Sequence, residues 1–343
     1  MTGDSGVSDV TYSMVQCARQ RIAPYIHRTP LVRSSTLSNL FNANVYLKME
    51  IFQRTGAFKV RGAFNKMLSL GQRASRGVVA VSAGNHAQAV AYAAQCCHVP
   101  AVVLLPNDTP QNYVDATRGY GAAVAFVSDL AEGFREVAAF ERRGYTFIHP
   151  FGDPLVVAGQ GSIGLEIHDD LPGVTDVFVS IGGGGLACGT AVGLKGRNPS
   201  IRVWGVETRG ADSMAQALDA GKIVQLPRIT SRAKTLGAPS VSPLTLQLAR
   251  QLLEEVVVVS DDEATRDAIF LLERTKVLTE LAASCTLSAL HLRRDCLTPA
   301  SNVVLVLCGG NACLSDLVDD SREHALPLPG NRMHSEQLPS SFA

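Results

Sequence analysis

Lys59 lies in a short stretch of small and apolar residues, 52–63, with Gly56 before it and Gly62 after it. An ammonium group is poorly solvated in such surroundings, which favours the neutral amine. A neutral amine can attack an aldehyde to form a Schiff base, so Lys59 is a candidate covalent anchor for a carbonyl compound. The structural alternative is an exposed lysine at the start of a helix, because lysine side chains usually face solvent.

A run of glycines, Gly182, Gly183, Gly184 and Gly185, follows a β-branched stretch and precedes a helix-compatible stretch that begins at Leu186. Glycines let the backbone adopt positive φ angles and approach an anion closely, and a helix N-terminus presents free N–H groups. The run therefore predicts a phosphate site. A dinucleotide-binding turn or a simple tight turn is the alternative, but the run lacks the GxGxxG spacing that a dinucleotide turn needs.

The segment Ser82, Ala83, Gly84, Asn85 and His86 also joins a β-branched stretch to a helix-compatible one. It concentrates hydroxyl, amide and backbone donors at the positive end of a helix, where a carboxylate is stabilised. We therefore expect it to bind the carboxylate of a substrate. The alternative is that Ser82 or Asn85 only caps the helix.

Cys308 ends the last apolar stretch of the chain and is followed by Gly309, Gly310 and Asn311. A buried thiol is most often a small core residue. It can also serve as a weak hydrogen-bond partner for an atom of a cofactor ring, as a serine hydroxyl would.

Short apolar stretches alternate with alanine-rich, helix-compatible ones, which indicates an α/β fold with a parallel sheet buried on both faces. Ligands of such sheets lie at the carboxyl ends of the strands. Residues 82–86, the glycine run, the Cys308 motif and Glu207 all lie at the ends of such stretches. We therefore expect them to share one cleft. The predicted strands are residues 45–47, 78–81, 101–105, 124–127, 146–148, 176–179, 203–206 and 303–307.

The composition is that of a globular protein that acts on small molecules. The chain has 343 residues, 46% of them hydrophobic, and its 31 basic and 31 acidic residues give no net charge. Neither a nucleic acid nor a membrane surface is expected as a partner. The N-terminus lacks the basic and apolar regions of a signal peptide, and the eight cysteines show no zinc-type spacing. We expect a cytoplasmic protein with reduced thiols.

Six motifs occur in the order found in fold-type II enzymes that use pyridoxal 5′-phosphate (PLP). From about residue 22 to residue 317, the chain closely resembles the family of serine/threonine dehydratases and serine racemases. The resemblance implies a two-domain α/β fold like that of the tryptophan synthase β-subunit, with a mostly parallel sheet flanked by helices in each domain. The motifs are residues 52–63, 82–88, 149–151, 158–166, 182–185 and 308–311.

The same resemblance implies a domain organisation. Residues 1–52 and 149–320 are expected to form a large PLP-binding domain, and residues 53–148 a small mobile domain that carries the carboxylate-binding segment. Residues 321–343, rich in Pro, Ser, His and Arg, are expected to form an extended C-terminal tail. A homo-oligomer, a dimer or a tetramer, is expected as in the family.

The resemblance also implies roles for single residues. Lys59 would form the Schiff base with PLP and move the Cα proton, Phe58 would pack against the cofactor ring, and Asn85 would bind its phenolic oxygen. Cys308 would face the pyridine nitrogen, and Glu280 aligns with a glutamate at the cofactor. The phosphate would be held by the four glycines and the N–H of Leu186, and the substrate carboxylate by Ser82, Ala83, Gly84, Asn85 and His86.

Ala83 departs from the pattern of the racemases, which carry a serine there as a proton donor on the face opposite the lysine. Alanine has no proton to give, so we expect a dehydratase that converts a β-hydroxy-α-amino acid, such as L-threonine or L-serine, to a 2-oxo acid and ammonia. Racemisation, β-replacement and a binding protein without catalysis are the alternatives. A bulkier substrate of the phenylserine or 3-hydroxyaspartate type is a further one, since Phe151, Ala282, Ala283 and Ser284 could leave room for it.

A second departure concerns a cation that related enzymes hold with a Glu, a backbone carbonyl and an Asp. Glu207 and Ala211 match this pattern, but the third position is Ser213. A hydroxyl replaces a charged oxygen there, so we expect weak affinity for a divalent ion, with a monovalent ion or none as alternatives. Glu207 can equally be an ordinary polar residue at a strand end.

Overall fold

The computed structural model describes residues 9–323 and shows two β-sheets with helices packed around them. The strands are β1 (Leu31–Arg33), β2 (Asn44–Lys48), β3 (Val78–Val81), β4 (Ala101–Pro106), β5 (Ala123–Val127), β6 (Thr146–Phe147), β7 (Asp176–Ser180), β8 (Arg202–Thr208), β9 (Glu255–Val259) and β10 (Asn302–Val306). The α-helices are α1 (Tyr12–Ile22), α2 (Ser35–Phe41), α3 (Val60–Leu70), α4 (Asn85–Cys96), α5 (Gln111–Gly119), α6 (Leu130–Arg142), α7 (Pro154–Asp170), α8 (Gly185–Lys195), α9 (Ser213–Ala220), α10 (Pro243–Leu252), α11 (Asp261–Thr275), α12 (Leu281–Leu292) and α13 (Leu314–Glu323).

One sheet has six strands in the order β1-β2-β10-β7-β8-β9, and the other has four in the order β5-β4-β3-β6. All neighbouring strands run parallel except β1, which pairs antiparallel with β2. The central strands β3 and β7 are buried along their whole length, as a parallel sheet covered on both faces requires. The predicted α/β fold with mostly parallel sheets is confirmed.

Two edge strands were not predicted from the sequence. β1 has only three residues, none of them buried, so it carries no hydrophobic signal. β9 contains four consecutive valines, residues 256–259, and this β-branched run could have been recognised. The eight strands that were predicted are all present.

The predicted motifs lie at the carboxyl ends of strands, but in two different sheets. Residues 82–86 follow β3 of the four-stranded sheet. In the six-stranded sheet, residues 182–185 and Cys308 follow β7 and β10, and Glu207 is the last residue but one of β8. A functional site that includes the first motif must therefore form between the two sheets.

Helix α7 packs against α3 and α8 through glycines, which let the backbones approach closely. A Cβ built on Gly159 would lie 2.6 Å from the carbonyl oxygen of Arg61 in α3. A Cβ on Gly189 of α8 would lie 2.3 Å from the carbonyl oxygen of Val157 in α7. Both distances are far shorter than a carbon can approach an oxygen, so α7 holds α3 and α8 in fixed positions.

Gly189→Ala should lower the free energy of unfolding by about 1–3 kcal/mol, because the new methyl group forces α7 and α8 apart. Gly119→Ala is the matched control. It lies at the end of α5 with no described atom within 4 Å of its Cβ position, and should stabilise by about 0.4–1 kcal/mol through the unfolded chain. Urea denaturation measures both. Equal effects of the two substitutions would contradict the close helix contact.

The predicted domain boundaries stay a prediction. Strands β3 to β6 all fall within residues 53–148, and α3, which is also in that range, is hydrogen-bonded to α7 through the Gly62 N–H and Gln160 Oε1 at 3.2 Å. Helix α13 continues to Glu323, and the rest of the predicted tail lies outside the described residues. None of the helices within residues 9–323 is long and apolar enough to span a lipid bilayer.

Candidate active site

The segment before Lys59 is bound to the turn that follows β10. Phe58 N donates to Cys308 O at 3.0 Å, and Gly310 N donates to Gly56 O at 2.9 Å. Lys59 itself immediately precedes α3, which begins at Val60. These backbone bonds place the lysine beside the carboxyl end of the six-stranded sheet.

The Lys59 amine lies in surroundings of low polarity. Its Nζ donates to Pro150 O at 3.0 Å and lies 5.2 Å from the centre of the Phe58 ring. Burial lowers the pKa of Lys59 to about 8, although the nearby Cys308 and Glu280 oppose the shift. About a tenth of the amines would then be neutral at pH 7, far more than for an ordinary lysine. The amine is therefore suited to nucleophilic and proton-transfer chemistry.

Cys308 is buried near Lys59, and its thiol keeps its proton. It accepts a hydrogen bond from Ser180 Oγ at 3.3 Å, and its Sγ lies 3.5 Å from Ala282 O. Burial, with a smaller contribution from Glu280, raises the pKa of the Cys308 thiol to about 12. A neutral thiol beside a cofactor ring can exchange a hydrogen bond with it but supplies no negative charge.

Glu280 joins the two sheets. The residue is only 6% exposed, and its carboxylate accepts hydrogen bonds from Asn85 Nδ2 at 2.9 Å, from Thr235 Oγ1 at 2.7 Å and from Asn311 N at 3.0 Å. Burial raises the pKa of Glu280, and these three donors and Lys59 oppose the shift. Asn85 starts α4 next to the four-stranded sheet, so the predicted carboxylate-binding segment meets Lys59 and Cys308 here.

Asn85 and Ser82 do not cap α4. Ser82 Oγ accepts a hydrogen bond from Gly84 N at 3.1 Å, and the Asn85 amide donates to Glu280. No side chain of residues 9–323 caps this helix. His86 is buried, and burial lowers its pKa to about 3. The neutral ring therefore donates from Nε2 to Ile148 O at 2.8 Å. In the first turn of α4, Ala87 N donates to Gly84 O at 3.0 Å, whereas the N–H groups of Asn85 and His86 have no acceptor among the described residues, as a carboxylate-binding site requires.

The glycine run forms a cradle in which side chains have no room. Gly184 has a φ angle of +92°, and a Cβ there would lie 2.8 Å from Met214 Cε and Thr245 Cβ. A Cβ on Gly183 would lie 2.1 Å from ring atoms of Phe151. Helix α8 begins at Gly185, and its first N–H groups lack intrahelical acceptors.

These features fit PLP. The cradle at the start of α8 suits a phosphate, the Lys59 amine suits an aldehyde, and the neutral thiol of Cys308 suits a ring nitrogen. The lysine and the cradle meet at residues 150–151, since Lys59 bonds Pro150 and the next residue, Phe151, packs on Gly183. Cys308 joins them through the bond from Phe58 N, next to the lysine. The residues predicted separately are thus gathered into one site between the two sheets.

Two residues of this site were not predicted. Asn311 donates from Nδ2 to Thr55 O and to Asn85 Oδ1, both at 2.8 Å, so it links residues 52–63, here called the lysine segment, to α4. It lies in the Cys308 motif, which was a signal for its importance. Thr235 comes from a loop between α9 and α10, and its Cγ2 would lie 3.6 Å from a Cβ on Gly84. No local pattern marks it.

The predicted cation ligands form a separate group at the end of β8. Glu207 accepts from Met214 N and Ala215 N, both at 2.8 Å, in the first turn of α9, and burial raises its pKa to about 8. Ala211 N donates to Thr208 O at 2.9 Å. Ser213 Oγ is buried with no hydrogen-bond partner in the described part of the chain. Within residues 9–323, no three His, Cys, Asp or Glu side chains are placed to hold a metal.

The residues that suggested a bulkier substrate are packed. Ala282, Ala283 and Ser284 are at most 2% exposed in α12, and Ser284 Oγ donates to Ala264 O at 2.7 Å. Phe151 covers Gly183 of the glycine run. The structure therefore offers no support for extra room at these positions.

Comparisons with known proteins agree with the geometry. The model of the family described as pyridoxal-phosphate dependent enzymes matches residues 22–309. The chain is 43% identical to an L-threonine ammonia-lyase of Geobacter sulfurreducens over 88% of this chain and 75% of that protein. It is 37% identical to a serine racemase of Oryza sativa over 88% of this chain and 90% of that protein.

A solved structure, that of maize serine racemase, is 33% identical and superposes with a TM-score of 0.85 over 93% of this chain and 98% of that one. Both the family model and these relatives cover most of the chain. The chain therefore belongs to the pyridoxal-phosphate dependent enzymes of fold type II, in the group that contains threonine dehydratases and serine racemases.

Proposed function

We propose that this enzyme eliminates the β-hydroxyl of L-threonine or L-serine as water, after which hydrolysis of the enamine product gives a 2-oxo acid and ammonia. The observation that carries the proposal is the Lys59 amine, whose pKa burial lowers to about 8 and which lies beside Cys308 and Glu280. The name L-threonine ammonia-lyase of a relative with 43% identity supports the choice of substrate, and the packing of Ala282, Ala283 and Ser284 favours a small side chain.

Each step uses residues of this chain. The N–H groups at the start of α4 and Ser82 bind the substrate carboxylate, while Glu280 and Asn311 hold the Asn85 amide in place. When bound, PLP supplies an electron sink that stabilises negative charge at Cα of the substrate. Lys59 takes the Cα proton and passes it to the β-hydroxyl, which leaves as water. Hydrolysis of the released enamine gives the 2-oxo acid and ammonia.

Cys308 favours elimination over transamination. A thiol with a pKa of about 12 cannot act as a carboxylate would to hold the pyridine nitrogen protonated. Beside Cys308, bound PLP would therefore be a weaker electron sink, which would favour loss of the β-hydroxyl over transamination. Phe58, 9% exposed next to the lysine, would pack against the ring.

The proposal is tested by the turnover of four amino acids, L-serine, L-threonine, 3-hydroxyaspartate and phenylserine, followed as 2-oxo acid formation. We expect turnover of L-threonine and L-serine well above that of the other two. Inactivity on all four would remove the dehydratase proposal, and preference for phenylserine would restore the bulkier alternative.

Racemisation is the second candidate, because a serine racemase is among the relatives. Ala83 opposes it, since methyl hydrogens cannot be donated as protons. Ala83→Ser should raise the rate of D-serine formation from L-serine by about 10²-fold through general acid catalysis on the face opposite Lys59. Ala83→Gly, which adds no proton donor, should leave it unchanged. Rapid interconversion of L- and D-serine by the wild type would contradict the proposed role of Ala83.

The remaining predictions form part of the same proposal. We infer a cytoplasmic homo-oligomer, a dimer or a tetramer, with residues 53–148 moving over the site. A cation near Glu207 and Ser213 would bind weakly, because the Glu207 carboxylate already accepts two backbone N–H groups.

A further inference from the structure

Four buried charged side chains lie in or next to the lysine segment, residues 52–63, and take no part in the proposed chemistry. Arg61, Lys48 and Glu50 are fully buried, and Glu166 is 4% exposed. Two positive and two negative groups leave no net charge. Burial of so many charges costs free energy of folding unless each charge is well paired.

Arg61 holds two carboxylates at once, each through two hydrogen bonds. Its Nε and Nη2 donate to the two oxygens of Glu50 at 2.8 and 2.7 Å. Its Nη1 and Nη2 donate to the two oxygens of Glu166 at 2.7 and 2.8 Å. Paired bonds of this kind fix the direction as well as the distance of a guanidinium.

The bond between Arg61 and Glu50 closes the chain around Lys59. Glu50 comes shortly after β2, ahead of the lysine segment, and Arg61 lies in the first turn of α3, two residues after Lys59. The bond therefore joins both ends of the segment that carries the amine. We call Glu50, Arg61 and Glu166 the arginine clasp.

The bond between Arg61 and Glu166 ties the same segment to α7. That helix also packs against α8, which starts at the glycine run, through Gly161 and Gly189: a Cβ on Gly161 would lie 2.8 Å from Gly189 O. The amine and the phosphate cradle are thus both positioned by α7. A displacement of a reacting group by about 1 Å can cost about 10²-fold in rate.

We propose that Arg61 is a positioning residue that holds the Lys59 amine at the correct place relative to the phosphate cradle. This inference rests on the proposed role of Lys59. No hydrogen bond joins the clasp to residues 82–86, so it acts on the reactivity of the amine and not on binding of the substrate carboxylate.

The chain offers a control with the same charge. Lys48 Nζ donates to Glu166 at 2.6 Å and to Thr29 O at 2.7 Å, but it lies on β2 and outside the lysine segment. Arg61→Met and Lys48→Met each leave one buried negative charge uncompensated, so both should lower the denaturation midpoint. Only Arg61→Met should lower kcat, by about 10- to 100-fold, with little change in KM.

A spectroscopic measurement separates position from stability. In Arg61→Met the free Lys59 amine, before it reacts with added PLP, is less confined and better solvated, so its pKa rises. The visible absorption band of PLP bound to Lys59 should then reach full height only at higher pH, whereas the Lys48→Met enzyme should titrate as the wild type does.

Arg61→Lys tests the positioning role of Arg61 if Arg61→Met does not fold, because lysine keeps the charge but cannot form the paired hydrogen bonds. It should retain most of the stability and still show the lowered kcat and the shifted titration. Wild-type kcat and titration in Arg61→Lys, or equal changes in Arg61→Met and Lys48→Met, would overturn the inference. Absence of the visible band in the wild type would instead refute the proposed function.

Discussion

Lys59→Arg should abolish the visible absorption band of bound PLP and lower the rate of 2-oxo acid formation by at least about a thousandfold. Arginine keeps the positive charge and much of the volume, but its guanidinium does not lose its proton in proteins. It can therefore neither form a covalent link to an aldehyde nor take a proton from Cα. The absorption spectrum and an initial-rate assay on L-threonine measure both effects.

Lys66→Arg is the matched control for this substitution. Lys66 lies on α3 close to Lys59 in sequence, and its Nζ forms an ion pair with Asp153 at 2.5 Å, which arginine can replace. The control enzyme should keep the band and the rate. If Lys59→Arg retained substantial activity, or if both substitutions abolished it equally, the catalytic role of Lys59 would be wrong.

Gly184→Ala should weaken PLP binding by about 10- to 100-fold, which corresponds to about 1.4–2.8 kcal/mol. Its φ angle of +92° disfavours any side chain, and the new Cβ would lie 2.8 Å from Met214 and Thr245. The loop must shift to relieve the strained φ angle and the two short contacts, and this shift moves its N–H groups away from the phosphate. Titration of the apoenzyme with PLP, followed by the visible band, gives the dissociation constant.

Gly121→Ala separates backbone strain from crowding. Gly121 has a similar φ angle of +81°, but no atom of the described residues lies within 4 Å of its Cβ position, and it lies outside the site, after α5. This variant should lose about 1–2 kcal/mol of stability through its φ angle and bind PLP as the wild type does. Wild-type affinity in Gly184→Ala would show that the glycine run does not hold the phosphate.

Much of the site could be predicted because its parts are local patterns. Lys59 among small residues, the glycine run before α8 and the segment of residues 82–86 each precede a helix start, so backbone geometry alone indicates much of their chemistry. The two-domain fold was implied by the family resemblance that these motifs carry, and not by the patterns themselves. The β-branched run of β9 was available in the sequence and missed.

The links between those parts could not be predicted from spacing. Asn85 and Glu280 are 195 positions apart and meet only because the fold brings the start of α4 to the start of α12. Thr235 and Asn311 join the same network through side chains that no periodicity marks. The partners of Arg61 are likewise set by packing, because Glu166 lies 105 positions away on α7. Such contacts depend on the tertiary fold.

Reduction of the holoenzyme with borohydride, followed by protease digestion and mass spectrometry, tests the central claim most directly. Reduction makes the link between a lysine amine and PLP permanent, so the modified peptide identifies the anchor. We expect the PLP mass on the peptide that contains Lys59 and on no other. Modification of a different lysine, such as the buried Lys48, or no modified peptide from a protein that shows the visible band, would contradict the account.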